Sequence, residues 1–416
     1  MLILCARVGG TYLFNHDNME LLTVLEENMQ NPVQKISDVK IKMYLNALKL
    51  AFPYENVPIR RLVSQKTENE KVSSEHLAHW LSYIWNLATR TDLSEHGLTT
   101  RQVDDIMSAR KEIDPEQEYA LLLAEKIQVI SRQDVEYPTL LQDIHDAPEV
   151  LYIQGKNELL TSQKISIVGP RNPSAYGSEI VKKIVKKMVP YQLTVVSGLA
   201  MGIDSQAHMA ALANNLPTIA VLGAGHASLK LKNHTRLIKD LMTNHLIISE
   251  YPFFTEGSRQ TFPIRNRIIS GLSHGTIVIE ARERSGSLIT AKLANSQGRG
   301  VFAVPGSLYN ACSVGTNQLI QKGEATLFTT VEKMCETLNF NTQLALKFEK
   351  RLQIVQGAEL HKKIYRLLES ELHTDQIFDE CKKIPAAEIL RALTELELKG
   401  FITSLPGQVW MRTTLG

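Results

Sequence analysis

Arg171 stands in the run Gly169-Pro170-Arg171-Asn172-Pro173-Ser174, directly after the apolar stretch Ile165–Val168 and just before a helical pattern that opens at Ser178. A guanidinium is a planar, permanently charged fork that bonds phosphate oxygens in pairs. Glycines beside it let a polyanion approach backbone amides, and a helix start adds a favourable dipole. Similar loops recur along the chain. They hold Ser197-Gly198, Gly223-Ala224-Gly225 followed by Lys232 and Arg236, Arg265-Asn266-Arg267, and Arg282 through Arg284-Ser285-Gly286-Ser287. Together they describe a rim of glycine, serine and arginine suited to a phosphate-bearing ligand. A single such loop has little specificity, since tight turns also use glycine; their joint occurrence is the signal.

The elements that must carry this rim are short apolar stretches, most of them continuous Val/Ile/Leu runs. They fall at Ile165–Val168, Thr194–Val196, Ile219–Leu222, Leu246–Ser249, Thr276–Ile279 and Val301–Val304, with Ala325–Phe328 as a seventh. Uninterrupted apolar strands separated by helical segments imply a parallel sheet covered on both faces, the doubly wound α/β class. Ligands of such sheets bind beyond the carboxyl ends of the strands, where all of these loops fall. Duller roles are open to several residues. Asp204 is expected to cap its helix or bond a neighbouring loop. His208, on an apolar helix face, reads as a satisfied core histidine, and Glu280 reads as a partner for Arg265 or Arg267.

Upstream, helices are expected over Met19–Met29, Val39–Leu50, Glu75–Ala88 and Leu98–Met107, the last capped by Thr99 or Thr100. Gln65–Lys71 is polar and reads as a loop. Asp114-Pro115 opens a helix to about Lys126, followed by short strands at Ile127–Ile130 and Val150–Ile153. The C-terminal pattern is helix (Leu360–Leu372), short helix (Thr374–Lys382) and helix (Pro385–Lys399), then strands at Gly400–Thr403 and Val409–Arg412 forming a two-stranded wing. The expected domains are a helical one over 1–110, the sheet domain over 111–339, a linker over 340–357 and a winged helix over 358–416.

With 416 residues, several domains are expected. A formal net charge of +2 means that any nucleic-acid site is a local patch. Cys5, Cys312, Cys335 and Cys381 are scattered, which argues against a disulfide framework or a zinc site and fits a reducing cytosol. The start does not read as a signal peptide, and no run approaches the roughly 18 apolar residues of a membrane helix. No nucleoside-triphosphate loop, serine-hydrolase elbow or acidic metal cluster marks the rim, so neither catalysis nor a cofactor is expected.

The motifs GPRNPSAYG, VVSGLAMGIDSQAH, SEYP, FPIRNRIISGLS, EARERSGSLITA and VPG, in this order, resemble the DNA-processing protein A family (DprA, also called Smf) from about Asp114 to Phe328. ILRALTELELKGFI resembles the winged-helix domain that many members append. The resemblance implies an extended Rossmann-like, mostly parallel sheet, preceded by a helical N-terminal domain and followed by a C-terminal winged helix. It also implies a cytoplasmic homodimer without catalytic activity. Such a protein binds single-stranded DNA, protects incoming strands in natural transformation (competence) and loads the RecA recombinase. The family's phosphate-binding arginine falls on Arg171 and its basic residue after the third strand on Lys232.

The expected DNA-binding set is Gly169, Arg171, Ser174, Ser197, Gly198, Gly223, Gly225, Lys232, Arg236, Arg265, Asn266, Arg267, Arg284, Ser285 and Ser287. Three positions depart from the family pattern. Pro170 replaces a serine or threonine and removes one hydroxyl and one amide donor. Leu229-Lys230-Leu231 replaces an aromatic-Tyr-Pro step, and Met201 stands where some members carry lysine. A nucleotide-processing hydrolase of the lysine-decarboxylase-like group is one alternative. It is disfavoured because Gly286–Gln297 contains no acid to serve as general acid or base. A pure adaptor without DNA binding is the other.

Overall fold

The computed structural model describes residues 32–67, 73–231, 235–340, 358–368, 371–381, 384–398 and 401–412. The expected helix Met19–Met29 and the residue Lys232 lie outside them. The described chain divides into two compact units, residues 1–161 with 219–272, and residues 162–218 with 273–416.

In the first unit, helices Pro32–Ala51, Val57–Thr67, Ser74–Asn86, Arg90–Glu95, Thr100–Glu112 and Pro115–Ala124 precede the strands. Their apolar faces converge on one core that includes Leu45, Leu48, Ile59, Leu62, Leu81, Ile84 and Ile106. Thr99 caps its helix in a reciprocal box with Gln102, and Asp114 caps the next with Pro115 in its first turn. One expectation needs correcting: Gln65–Thr67 belongs to the helix Val57–Thr67 rather than to a loop. Burial of Ile59, Leu62 and Val63 at three- and four-residue spacing carries the helix into that polar stretch.

The strands of this unit are β1 (Gln128–Ser131), β2 (Val150–Gly155), β5 (Thr218–Leu222, its first residue counted with the second unit) and β6 (Leu246–Ser249). Their order is β1-β2-β6-β5. β5 and β6 run parallel, with Ile219 opposite Leu246. β2 joins β6 antiparallel and β1 joins β2 antiparallel, which explains the two short strands ahead of the parallel part. Helices Thr139–Gln142, Thr235–Asn244 and Thr261–Gly271 accompany them.

The second unit holds β3 (Lys164–Val168), β4 (Thr194–Ser197), β7 (Gly275–Val278), β8 (Gly300–Ala303) and β9 (Thr326–Leu327). Their order is β4-β3-β7-β8-β9, with every pairing in it parallel. Helices Ala175–Lys187, Ile203–Ala213, Gly286–Ser296 and Val314–Gln321 alternate with them. β3 and β4 are buried throughout, including their polar residues Lys164, Ser166, Thr194 and Ser197. His208 is the core histidine expected, buried with its Nδ1 2.7 Å from Thr218 Oγ1.

At the C-terminus, helices Ala358–Leu367, Thr374–Glu380 and Ala386–Leu398 enclose Ile364, Ile377, Ile389, Leu393 and Leu396. The wing is three-stranded rather than two-stranded. Leu372 and His373, expected at the end of a helix and after it, form strand β10 (Leu372–His373) and pair with β12 (Val409–Arg412), which also pairs with β11 (Ile402–Leu405). His373 then caps the next helix, so the chain leaves helical geometry before it. No described helix is long and apolar enough to cross a membrane.

Candidate nucleic-acid interface

In the second unit, the loops at the carboxyl ends of β3, β4, β7 and β8 brace one another. A Cβ on Gly169 would stand 2.5 Å from Ile203 Cγ1. Gly202 takes φ of 88°, and a Cβ there would meet the carbonyl oxygens of Pro170 and Arg171 at 2.3 and 2.4 Å. Ile203 N donates to Pro170 O at 3.2 Å. These glycines therefore let two loops stack backbone against backbone. Arg171 lies exposed on top of that stack.

The serines expected to meet phosphate are mostly engaged within the protein. Ser174 Oγ donates to Glu280 at 2.5 Å and accepts from Gly177 N, while Ser174 N donates to the same carboxylate at 2.9 Å. Glu280 is buried, so its expected pairing with Arg265 or Arg267 is replaced by this clamp on the Arg171 loop. Ser197 Oγ donates to Ile167 O at 2.7 Å and is buried. Gly198 is buried beside it. Asp204, also buried, lies in the first turn of its helix. Ser285 caps the helix Gly286–Ser296, its Oγ 2.8 Å from Ser287 Oγ. Arg282 and Arg284 are exposed just before that cap, and the site of a Cβ on Gly286 meets nothing within 4 Å. This corner offers exposed charge, half-buried hydroxyl and open backbone together.

In the first unit, the loop after β5 is also packed from within. A Cβ on Gly223 would be 2.7 Å from Phe262, and one on Gly225 would be 2.1 Å from Pro252 O. Thr261 Oγ1 donates to Gly223 O at 2.7 Å. Arg265 and Arg267 are each only 5% exposed, and both point inward. Arg265 bonds Val221 O, and its Nε donates to Asn266 Oδ1 at 3.2 Å. Arg267 pairs with Glu250 at 2.6 Å and with Asp146 at 2.9 Å. Both arginines, expected on the rim, are structural supports of the sheet end. Arg236 is exposed on the helix Thr235–Asn244.

Glu250 also accepts from Asn56 Nδ2 at 2.6 Å, and Asn56 Oδ1 accepts from Lys49 Nζ at 3.1 Å. Burial works against ionising Glu250, but the Arg267 and Lys49 charges outweigh it and hold its carboxyl below its ordinary value. Burial likewise disfavours the Arg267 charge, and Glu250 outweighs it and raises the pKa. Lys49, buried with Glu250 and Arg267 nearby, falls to about 8, burial being the main cause.

Sequence reasoning missed Leu308 and Tyr309, which protrude from the loop after β8 at 83% and 100% exposure. The only sequence signal was two adjacent large apolar residues inside a Gly-Ser…Asn turn. Among the described residues no group of histidine, cysteine or carboxylate side chains is placed to hold a metal.

Residues 128–339 match the family described as DNA recombination-mediator protein A, and residues 352–408 match the DprA winged helix domain. The DNA processing protein DprA of Bacillus subtilis is 36% identical over 288 residues, covering 67% of this chain and 96% of that protein. Protein Smf of Escherichia coli is 35% identical over 337 residues, covering 80% of this chain and 89% of its own. The crystal structure of DNA processing protein A from Streptococcus pneumoniae superposes with a TM-score of 0.60 at 35% identity, covering 70% of this chain and 95% of that one. With an exposed arginine over stacked glycine loops and a matching sheet and winged helix, this chain belongs to the DNA recombination-mediator protein A (DprA) family.

Proposed function

We propose that this protein is a non-enzymatic single-stranded-DNA-binding recombination mediator. It shields incoming strands and delivers them to a RecA-type recombinase in natural transformation, acting in the cytoplasm as a homodimer. Residues 111–339 would bind the strand, and the winged helix would serve a partner or duplex contact. The observation that carries this reading is the exposed set Arg171, Arg282 and Arg284 at the carboxyl ends of parallel strands, on loops already braced by the protein itself. Guanidinium groups on a rigid support bind backbone phosphates with little regard for sequence. The half-buried Ser285 hydroxyl lies beside Arg284, and Arg236 and Lys232 are further basic positions. Gly169, Gly198, Gly223, Gly225, Ser174, Ser197, Asn266 and Ser287 shape the loops from within.

The test is fluorescence anisotropy of a labelled oligo-dT over a salt series, for the wild type and Arg171→Ala. Each phosphate neutralised adds about −0.7 to the log–log salt slope for single strands. Tight, salt-steep binding that weakens in the variant, with the slope shallower by about that much, supports the reading. A folded wild-type protein that does not bind at low salt overturns it.

A further inference from the structure

We propose that the loop tip Leu308-Tyr309 is a stacking platform for the bases of the bound strand, separate from the arginines that hold its phosphates. The proposal rests on the single-strand reading above.

Leu308 and Tyr309 are 83% and 100% exposed, yet their loop is firmly built. Gly306 N donates to Asn317 Oδ1 at 3.2 Å, and Asn317 Nδ2 returns a bond to Gly306 O at 3.0 Å. Gly306 also lies so close to Ser313 that a Cβ would stand 2.0 Å from Oγ. Tyr309 N donates to Ser307 Oγ at 3.3 Å, and Asn310 N to Ser307 O at 3.1 Å. Asn310 Oδ1 accepts from Cys312 N at 2.9 Å. A braced backbone thus presents a bare aromatic ring, and a ligand that covers it loses little conformational entropy from the loop.

The same loop is tied to both arginine-bearing loops of this unit. Tyr176 Oη, five residues after Arg171, donates to Pro305 O at 3.0 Å. Ala281 N, next to Arg282, donates to Cys312 O at 2.8 Å, and Gly315 N donates to Ala281 O at 2.8 Å. Chain reach along the second link caps the Tyr309–Arg282 Cα separation at roughly 20 Å, a span of a few nucleotides. Two more apolar groups are exposed in this unit, Tyr176 in the first turn of the helix Ala175–Lys187 at 44% and Met201 on the loop after β4 at 68%. Apolar faces interleaved with guanidinium groups suit a polyanion whose units each carry a π-face. Glu283 is the one exposed carboxylate in the arginine corner, set against Arg282 and Arg284 on either side. The corner stays net positive and suits an anionic partner, and the exposed ring beside it favours one whose units carry π-faces.

Anisotropy with oligo-dT and with an abasic oligonucleotide of the same length tests this in Tyr309→Ala, Tyr309→Phe and Arg171→Ala. A stacking contact predicts about tenfold weaker oligo-dT binding by Tyr309→Ala with an unchanged salt slope, and near wild-type binding by Tyr309→Phe. The wild type and Tyr309→Ala should bind the abasic strand alike. Unchanged oligo-dT affinity in Tyr309→Ala, while Arg171→Ala still weakens binding, overturns the platform and leaves the phosphate site standing. If Tyr309→Ala changes the sedimentation behaviour but not the DNA affinity, the tip is a protein interface and the proposal falls. A wild type that binds neither strand removes both readings.

Discussion

Arg267→Ala separates a supporting arginine from a DNA-contacting one. The guanidinium is buried against Glu250 at 2.6 Å, with the two side chains 6% and 3% exposed. Removing one member of such a pair leaves an uncompensated buried charge and costs about 3–5 kcal/mol. Two features pull the cost toward about 3 kcal/mol, the lower end of that range. Asn56 Nδ2 still donates to Glu250, and Lys49 remains linked to it through the same asparagine. Lys49 also loses a repelling neighbour, since Arg267 is among the causes that lower its pKa, so it should hold its proton more firmly at neutral pH. A loss of about 3 kcal/mol in a unit of 150–250 residues lowers Tm by roughly 6–12 °C. Glu250→Ala should cost more, because it takes the counter-charge from Arg267 and Lys49 at once.

Urea denaturation and calorimetry read the stability, and oligo-dT anisotropy well below the transition reads binding. Arg267→Ala should shift the midpoint and keep most of its affinity, whereas Arg171→Ala should do the reverse. A wild-type midpoint combined with lost binding in Arg267→Ala would refute the inward assignment and return this residue to the rim.

Lys49 predicts a pH dependence. Its folded pKa of about 8 lies below the ordinary 10.5, so between those values the unfolded chain holds a proton that the native one lacks. Stability therefore rises with pH across that window, by about 1.4 kcal/mol per unit and about 3 kcal/mol in all, and is flat below it. The stability of the wild type relative to Lys49→Met should grow by that amount over pH 8–10.5, and a constant difference in urea titrations would refute the buried-amine account. Gly202→Ala places a Cβ 2.3 Å from Pro170 O at φ of 88°, so it should cost at least about 2 kcal/mol and loosen the Arg171 loop. Gly286→Ala meets open space and should change stability by no more than about 1 kcal/mol, in the favourable direction. Equal midpoints for the two variants would contradict the loop stacking.

The sheet was legible because its signal is local. A buried parallel strand must be a short apolar run, and Leu246–Ser249 has the bounds its residues suggested. The direction in which a rim side chain turns is decided by distant partners, and a linear reading does not carry it. Arg265 meets Val221 across 44 residues, and Glu280 meets Ser174 across 106. The first half of the helix Thr261–Gly271 even inverts the usual pattern, with Phe262 and Ile264 at 37% and 44% exposure while Arg265 and Arg267 are buried, although Ile268 and Ile269 are buried as expected. Hydrophobic periodicity has no means of anticipating that. The wing's third strand was missed for a related reason. Leu372 follows a helical apolar pattern, and only its pairing with Trp410 makes it a strand.

The glycines of the rim have a different use from the one their sequence context suggests, and this changes what the site can recognise. In a phosphate cradle, glycine keeps the backbone bare so that amides face an anion. Here the bare faces of Gly169, Gly202, Gly223 and Gly225 are filled by Ile203, by the Pro170 and Arg171 carbonyls, by Phe262 and by the Pro252 carbonyl. Pro170 fits this arrangement. It has no amide to offer a ligand, and its carbonyl accepts from Ile203 N at 3.2 Å. Charge therefore reaches solvent on side chains, through Arg171, Arg282 and Arg284, rather than through a nest of amides. A nest would select a compact anion by its shape. Guanidinium groups spread over stacked loops instead favour a repeating polyanion, with affinity that builds with each phosphate engaged and falls steeply with salt. Inorganic phosphate should accordingly compete weakly with oligo-dT, whereas a longer strand should gain on a shorter one until the exposed arginines are all engaged.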